Sequence, residues 1–132
     1  DMEAVMRTEG IPLFSLESKR PLKDFDIIGF SLGYELTYTN VLNMLHLAQI
    51  PVLAAERNDS HPVVIAGGSC TLNPEPMADF IDFFVIGDGE EVSLELLDSF
   101  RDWKRNGKGA PKKELFYQVA TIPGIYVPSL YQ

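Results

Sequence analysis

At 132 residues the chain has room for one compact domain, since domains run to roughly 100–200 residues. Apolar residues at 45% and charged residues at 23% are ordinary globular usage and exclude intrinsic disorder, collagen-like repeats and a disulfide mini-protein. Eleven basic against nineteen acidic residues leave a net charge of −8 and an isoelectric point near 4.6, which argues against nucleic acid or an anionic membrane as a partner of this domain. Cys70 is the single cysteine, so no intramolecular disulfide forms and no cysteine-based zinc or iron–sulfur site is completed within the chain. A reducing, cytoplasmic setting fits that usage. Apolar runs such as Phe83–Ile86 fall far short of the roughly 18 to 20 residues that cross a bilayer. The acidic start, Asp1-Met2-Glu3, is unlike a secretory leader. A first residue other than methionine, and an end on Ser129-Leu130-Tyr131-Gln132 without a stop signal, read as a piece excised from a larger protein.

In chain order, Met2, Val5 and Met6 share a helical face, and Gly10 with Pro12 ends that helix. Leu13–Leu16 reads as a short extended run with Pro12 at its edge, and Lys19–Lys23 as a polar turn. Asp26-Ile27-Ile28-Gly29-Phe30-Ser31 is apolar on both faces, the pattern of a central strand covered by helices. Val41, Leu42, Leu45 and Ala48 form one helical stripe, closed by Pro51. Pro62–Ala66 is the next buried strand, halted by Gly67-Gly68. Asn73-Pro74-Glu75 predicts a short helix with Asn73 as the capping side chain and Pro74 at its first position. Phe83–Ile86 is a third strand, stopped by Gly87-Asp88-Gly89. The helix after it sets Leu96, Leu97, Phe100 and Trp103 on one face and ends near Asn106-Gly107. Lys108–Lys113 reads as a loop or linker, Leu115–Ala120 as one more short helix, and Ile122–Pro128 as a turn and extended exit. Strands alternating with helices imply right-handed crossovers and an α/β fold: a doubly wound, flavodoxin- or Rossmann-like parallel sheet in three α/β/α layers.

In such a sheet every parallel strand delivers its carboxyl end to one rim, where ligands lie. The three ends here are Ser31-Leu32-Gly33-Tyr34, Gly67-Gly68-Ser69 and Gly87-Asp88-Gly89-Glu90, and each carries glycine. Glycine there serves a tight turn or lets a ligand approach the main chain, and three such ends on one rim favour a ligand surface. The ligand is not a phosphate at Gly87–Val92: the third glycine of the dinucleotide fingerprint is replaced by Val92, and Asp88, Glu90 and Glu91 already satisfy the helix N-terminus. No Walker motif or nucleophile elbow is present. Ser31 and Ser69 have no evident histidine partner, and His46 and His61 read as structural or solvated.

The strand ends D-I-I-G-F-S-L, V-V-I-A-G-G-S-C-T-L-N-P-E-P and D-F-F-V-I-G-D-G-E-E, followed by I-P-G-I-Y-V-P, resemble the cobalamin-binding-like domain that precedes the catalytic barrel in a large class of radical S-adenosylmethionine (SAM) proteins. The resemblance spans Leu13 to Tyr131 and is closest to an uncharacterised subgroup. It implies that residues 1–121 form a cobalamin-binding-like domain, incomplete at its N-terminus, and that 122–132 connect it to a downstream radical SAM barrel. It further implies that Gly67-Gly68 lie beside the nucleotide tail of a corrin, Ser31–Tyr34 match a serine loop, and Gly87–Glu90 match an acidic rim turn. A D-x-H-x-x-G loop supplies a lower cobalt ligand in many cobalamin domains, whereas Asp59-Ser60-His61 precedes a strand and is followed by Pro62. The resemblance therefore implies a corrin without a lower histidine. The 4Fe-4S cluster and SAM would belong to the parent barrel, because Cys70 alone does not make the three-cysteine triad. A strand expected beside that of Ile27 would lie upstream of Asp1, leaving open backbone edges through which a fragment of this kind pairs with a second copy.

Three readings follow: an accessory domain of a radical enzyme that presents a corrinoid or covers the substrate at the barrel mouth, a degenerate scaffold of the same ancestry that binds no small molecule, and a receiver-like or flavin-binding module. Asp88 comes nearest to a receiver aspartate, but no lysine-bearing strand end completes that set.

Overall fold

A computed structural model describes residues 1–106 and 110–131. Four strands form the sheet: β1 (Ile27–Ser31), β2 (Val63–Gly67), β3 (Phe83–Val85) and β4 (Ile125–Tyr126), in the spatial order β1-β2-β3-β4. The first three are parallel, with Ile28 opposite Val64 and Ile65 opposite Phe83. β4 runs antiparallel to β3 and pairs Tyr126 with Phe84. Among the described residues four α-helices accompany them: α1 (Met2–Glu9), α2 (Tyr38–Leu47), α3 (Gly89–Asn106) and α4 (Lys112–Val119).

Strand side chains alternate between the two faces, and each face has its own core. Ile28, Val64, Ala66 and Phe84 pack under Val41 and Leu45 of α2 together with Met77 and Ile81. Val63, Phe83 and Val85 pack on the other side against Leu96 of α3 and Leu115 and Val119 of α4. This is a three-layer α/β/α arrangement. Phe84 is fully buried, and truncating such a phenylalanine to alanine typically costs about 3–5 kcal/mol. α1 lies outside α2, joined to it by hydrogen bonds from Arg7 to Asn43 Oδ1 (2.7 Å) and between Arg7 and His46 Nδ1 (2.8 Å). Asp1 caps its start, and Gly10 ends it in the left-handed conformation, but only Met6 of the expected face is buried.

Several local expectations are corrected. β1 is an edge among the described residues, not a central strand, and the strand order shows no reversal there. The Leu13–Leu16 run does not join the sheet: one bridge, Phe14 to Pro21, closes a turn in which the Ser15 amide donates to Arg20 O. Asn73 starts no α-helix. Prolines at 74 and 76 each remove an amide donor, and the segment becomes a 3-10 turn, Glu75–Met77, without a side-chain cap. Leu97 is exposed where a buried face was expected. α4 begins at Lys112, three residues before the expected Leu115, so the end of the expected Lys108–Lys113 loop is helical, while 107–109 lie outside the described residues. The Ile122–Pro128 exit carries β4 and the fully buried Val127.

Candidate functional site

β1 and β2 are aligned over five residue pairs, so Ser31 and Gly67 finish side by side. Beyond the ladder the ends are tied again: the Leu32 amide donates to Gly67 O (2.7 Å) and the Cys70 amide to Leu32 O (3.0 Å). Thr71, fully buried, donates its hydroxyl to Gly68 O (2.7 Å) and lies 3.1 Å from Val85 O, which binds the β2 exit to β3. The Ile86 amide donates to Gly124 O (2.7 Å), drawing the turn before β4 to the same rim.

On the α3 side of this rim lies a trough of about 350 Å³. Phe30, Ile65 and Val85 contribute apolar wall, and glycines at 29, 67, 68, 87 and 89 with Ser31, Ala66 and Ser93 supply the small-residue lining. Not one lining side chain carries a formal charge. The glycines divide into two kinds. Gly68 and Gly87 have φ of +104° and +91°, and a Cβ on Gly68 would stand 2.8 Å from Leu32 O, so the fold itself requires glycine at 68. Gly29, Gly67 and Gly89 have no such φ, and a Cβ on each would meet neighbours at ordinary contact distances, 3.6 to 4.0 Å. Among the described residues no neighbour demands glycine at these three positions, and their missing side chains help keep the trough open.

Of the residues expected at the site, Ser31, Gly67, Gly68, Gly87 and Gly89 come together in the trough. Leu32, Gly33, Tyr34, Ser69, Asp88 and Glu90 do not line it. Leu32, expected among the cofactor-binding residues, is buried in the α2-side core and not on the trough. Ser69 lies beside Gly33, with its hydroxyl 3.4 Å from Gly33 O. Tyr34, Asp88 and Glu90 are exposed nearby on the rim loops and the start of α3. Gly29, Ile65, Val85 and Ser93 were not anticipated. The one available signal was Gly29 itself, a glycine inside an apolar strand, which marks close approach by another group.

Among the described residues no cluster of metal-ligating side chains occurs, and no helix is long and apolar enough to cross a membrane. An uncharacterized protein of Methanocaldococcus jannaschii, MJ0966, is 28% identical over 95 residues, which are 70% of this chain and 20% of that relative. The chain thus spans about a fifth of the length of the curated relative it matches. No solved structure matches at a comparable level. The family model for radical SAM proteins, N-terminal, matches residues 1–128, nearly the whole length over which the rim and both cores are built, and the chain belongs to that family.

Proposed function

We propose that this chain is an accessory domain of a radical SAM protein and that it presents a corrinoid, holding the nucleotide tail of the cofactor in the rim trough. The observation that supports this reading is the set of glycines at 29, 67 and 89, which the fold does not need and which leave an uncharged channel beside the strand ends. Its volume, about 350 Å³, suits a slender group and not a macrocycle, so the corrin ring would lie outside, over the rim. Ser31 and Ser93 are the hydroxyls at hand for polar atoms of the tail. The cofactor, when bound, would supply methyl-transfer chemistry, while this chain binds and orients it. The 4Fe-4S cluster and SAM belong, in this reading, to a barrel elsewhere in the same polypeptide.

Titration with hydroxocobalamin tests it. Binding is expected to shift the visible corrin bands saturably, and Gly67→Val, which fills the trough, is expected to abolish the shift while leaving the far-ultraviolet circular dichroism intact. Absence of a shift in the parent protein overturns it.

One observation favours a second reading, a scaffold that binds no small molecule and packs on the barrel. Leu36 and Leu72, on the segments that follow β1 and β2, are 90% and 76% exposed, and Tyr34, two residues before Leu36, is exposed as well. A parent protein whose corrin bands never shift, yet in which Leu36→Glu loosens the domain toward proteolysis, supports that reading.

A further inference from the structure

At the opposite end of the sheet, where β2 and β3 begin, a cleft of about 570 Å³ opens between α4 and the turn Ala54–Glu56. Its wall contains Arg57, whose side chain is 1% exposed. Nη1 of Arg57 donates to Pro51 O (2.8 Å) and Val52 O (3.2 Å). Nη2 donates to Phe80 O (2.6 Å) and stands 3.4 Å from Asp82 Oδ1. The buried Nε has no acceptor among the described residues. Asp82 Oδ2 is taken by the Val64 amide at 2.7 Å. Lys112 is also buried, and its ammonium donates to two carbonyls, Asn58 O (2.7 Å) and Pro62 O (3.4 Å), neither of which carries a formal charge.

The buried set is therefore two cations against one carboxylate. At the mouth, Lys113 is held 5.7 Å from the centre of the Tyr117 ring, and the exposed Asp59 accepts the Lys112 amide with Oδ1 (3.0 Å). Three cations face two carboxylates, in a chain whose overall charge is −8. Buried charge is retained where it is paired. Asp82 and Asp59 together answer Arg57 and Lys112, and the one positive charge in excess is that of Lys113 at the mouth. Burial also pulls the Lys112 ammonium below its usual range, a shift that a nearby anion reverses.

We propose that this cleft binds a small aromatic monocarboxylate, its anion balancing the excess of Arg57, Lys112 and Lys113 over Asp59 and Asp82 and its ring lying against Phe116 and Tyr117. A monoanion matches the excess of one charge. The aromatic walls offer their faces to a ring, and no step of the rim chemistry is involved.

The test is a titration of the 15N-labelled chain with sodium benzoate at constant ionic strength, with sodium chloride and sodium acetate in parallel. Benzoate is expected to move the amides of residues 54–59 and 112–117 saturably, chloride to move none, and acetate to bind at least about tenfold more weakly. Lys112→Met is expected to weaken benzoate by about tenfold or more. Should that variant fail to fold, Lys113→Gln, an exposed change, is expected to weaken benzoate about threefold. No saturable movement in those segments, or undiminished affinity in the folded lysine variants, overturns the site. Acetate binding as tightly as benzoate overturns its aromatic specificity and leaves a site for carboxylates at large, side chains of a protein partner included.

Discussion

Where the strands finish, the trough is lined by glycine, two serines and apolar residues, without a formal charge; where they begin, Arg57, Asp82 and Lys112 are sunk among backbone carbonyls. The two ends hold their shape by different means. At the rim, Leu32, Cys70 and Thr71 bind the strand exits through neutral hydrogen bonds, and the space above is left empty of side chains. At the other end the space between the Pro51–Val52 segment, Phe80 and β2 is bridged by ions, which stay where they are only while each keeps its partners. Removing a buried ion should therefore cost stability, whereas filling the trough should cost ligand capture.

The largest effect is expected from Asp82→Ala. It leaves Arg57 buried without its counter-charge and the Val64 amide without its acceptor, and breaking a buried pair by removing one partner costs about 3–5 kcal/mol. Urea unfolding followed by fluorescence of Trp103 measures the loss. A change below about 1 kcal/mol would mean that the charged end is held by packing alone, and the contrast between the ends would disappear.

A pair of rim variants sharpens the same contrast. Gly68→Ala places a Cβ 2.8 Å from Leu32 O at a φ of +104°, and such strain costs about 1–3 kcal/mol. Gly67→Ala, one residue earlier, meets only Val85 at 3.9 to 4.0 Å, and its cost is expected to stay below about 1 kcal/mol while corrinoid binding weakens. Equal destabilisation by the two would show that both glycines serve the turn, and the argument for a trough held open for a ligand would fail.

β1 adds a third test. Alternation along the ladder turns the backbone groups of Ile27, Gly29 and Ser31 away from β2, toward the edge, and neither a charge nor a proline guards the strand. Pairing with a second copy along this edge is expected to raise the sedimentation mass above 14.8 kDa with concentration, and Gly29→Lys to hold it there. A mass of one chain at every concentration would remove the edge from consideration.

Much of this was readable from local pattern. The runs Ile27–Ser31, Val63–Gly67 and Phe83–Val85, and the Val41, Leu45 and Ala48 stripe, are set by which faces must leave water, a property that short stretches of sequence carry. The convergence of Ser31, Gly67 and Gly87 was readable because parallel strands deliver their ends to one rim. What local pattern did not carry is pairing across the chain. Whether Leu13–Leu16 finds a strand partner, and whether Ile125–Tyr126 joins β3 from the opposite direction, depends on residues far away. Lys112 is the sharpest case: a lysine in a polar stretch reads as solvated, and the carbonyls of Asn58 and Pro62, 54 and 50 residues earlier, together with the charges of Asp82 and Asp59 make its burial tolerable.

The smallest effect is expected at His61, at the charged end. Its Nδ1 accepts the Asn58 amide at 2.9 Å, which requires a neutral ring, and burial together with the charges of Lys112 and Arg57 lowers its pKa below the ordinary 6.5. A group whose folded pKa is depressed contributes stability that is present above its unfolded pKa and is lost as pH falls through the folded value. Stability should therefore fall modestly as pH drops below about 6.5, and His61→Gln should flatten that part of the profile. Asp82 runs the other way: burial raises its pKa, so its own contribution declines as pH rises through that raised value, and the two slopes are separable because only one survives in His61→Gln. An unchanged slope in that variant would place the acid sensitivity on the carboxylates, and the Asn58–His61 contact would count for nothing in holding the entrance to β2.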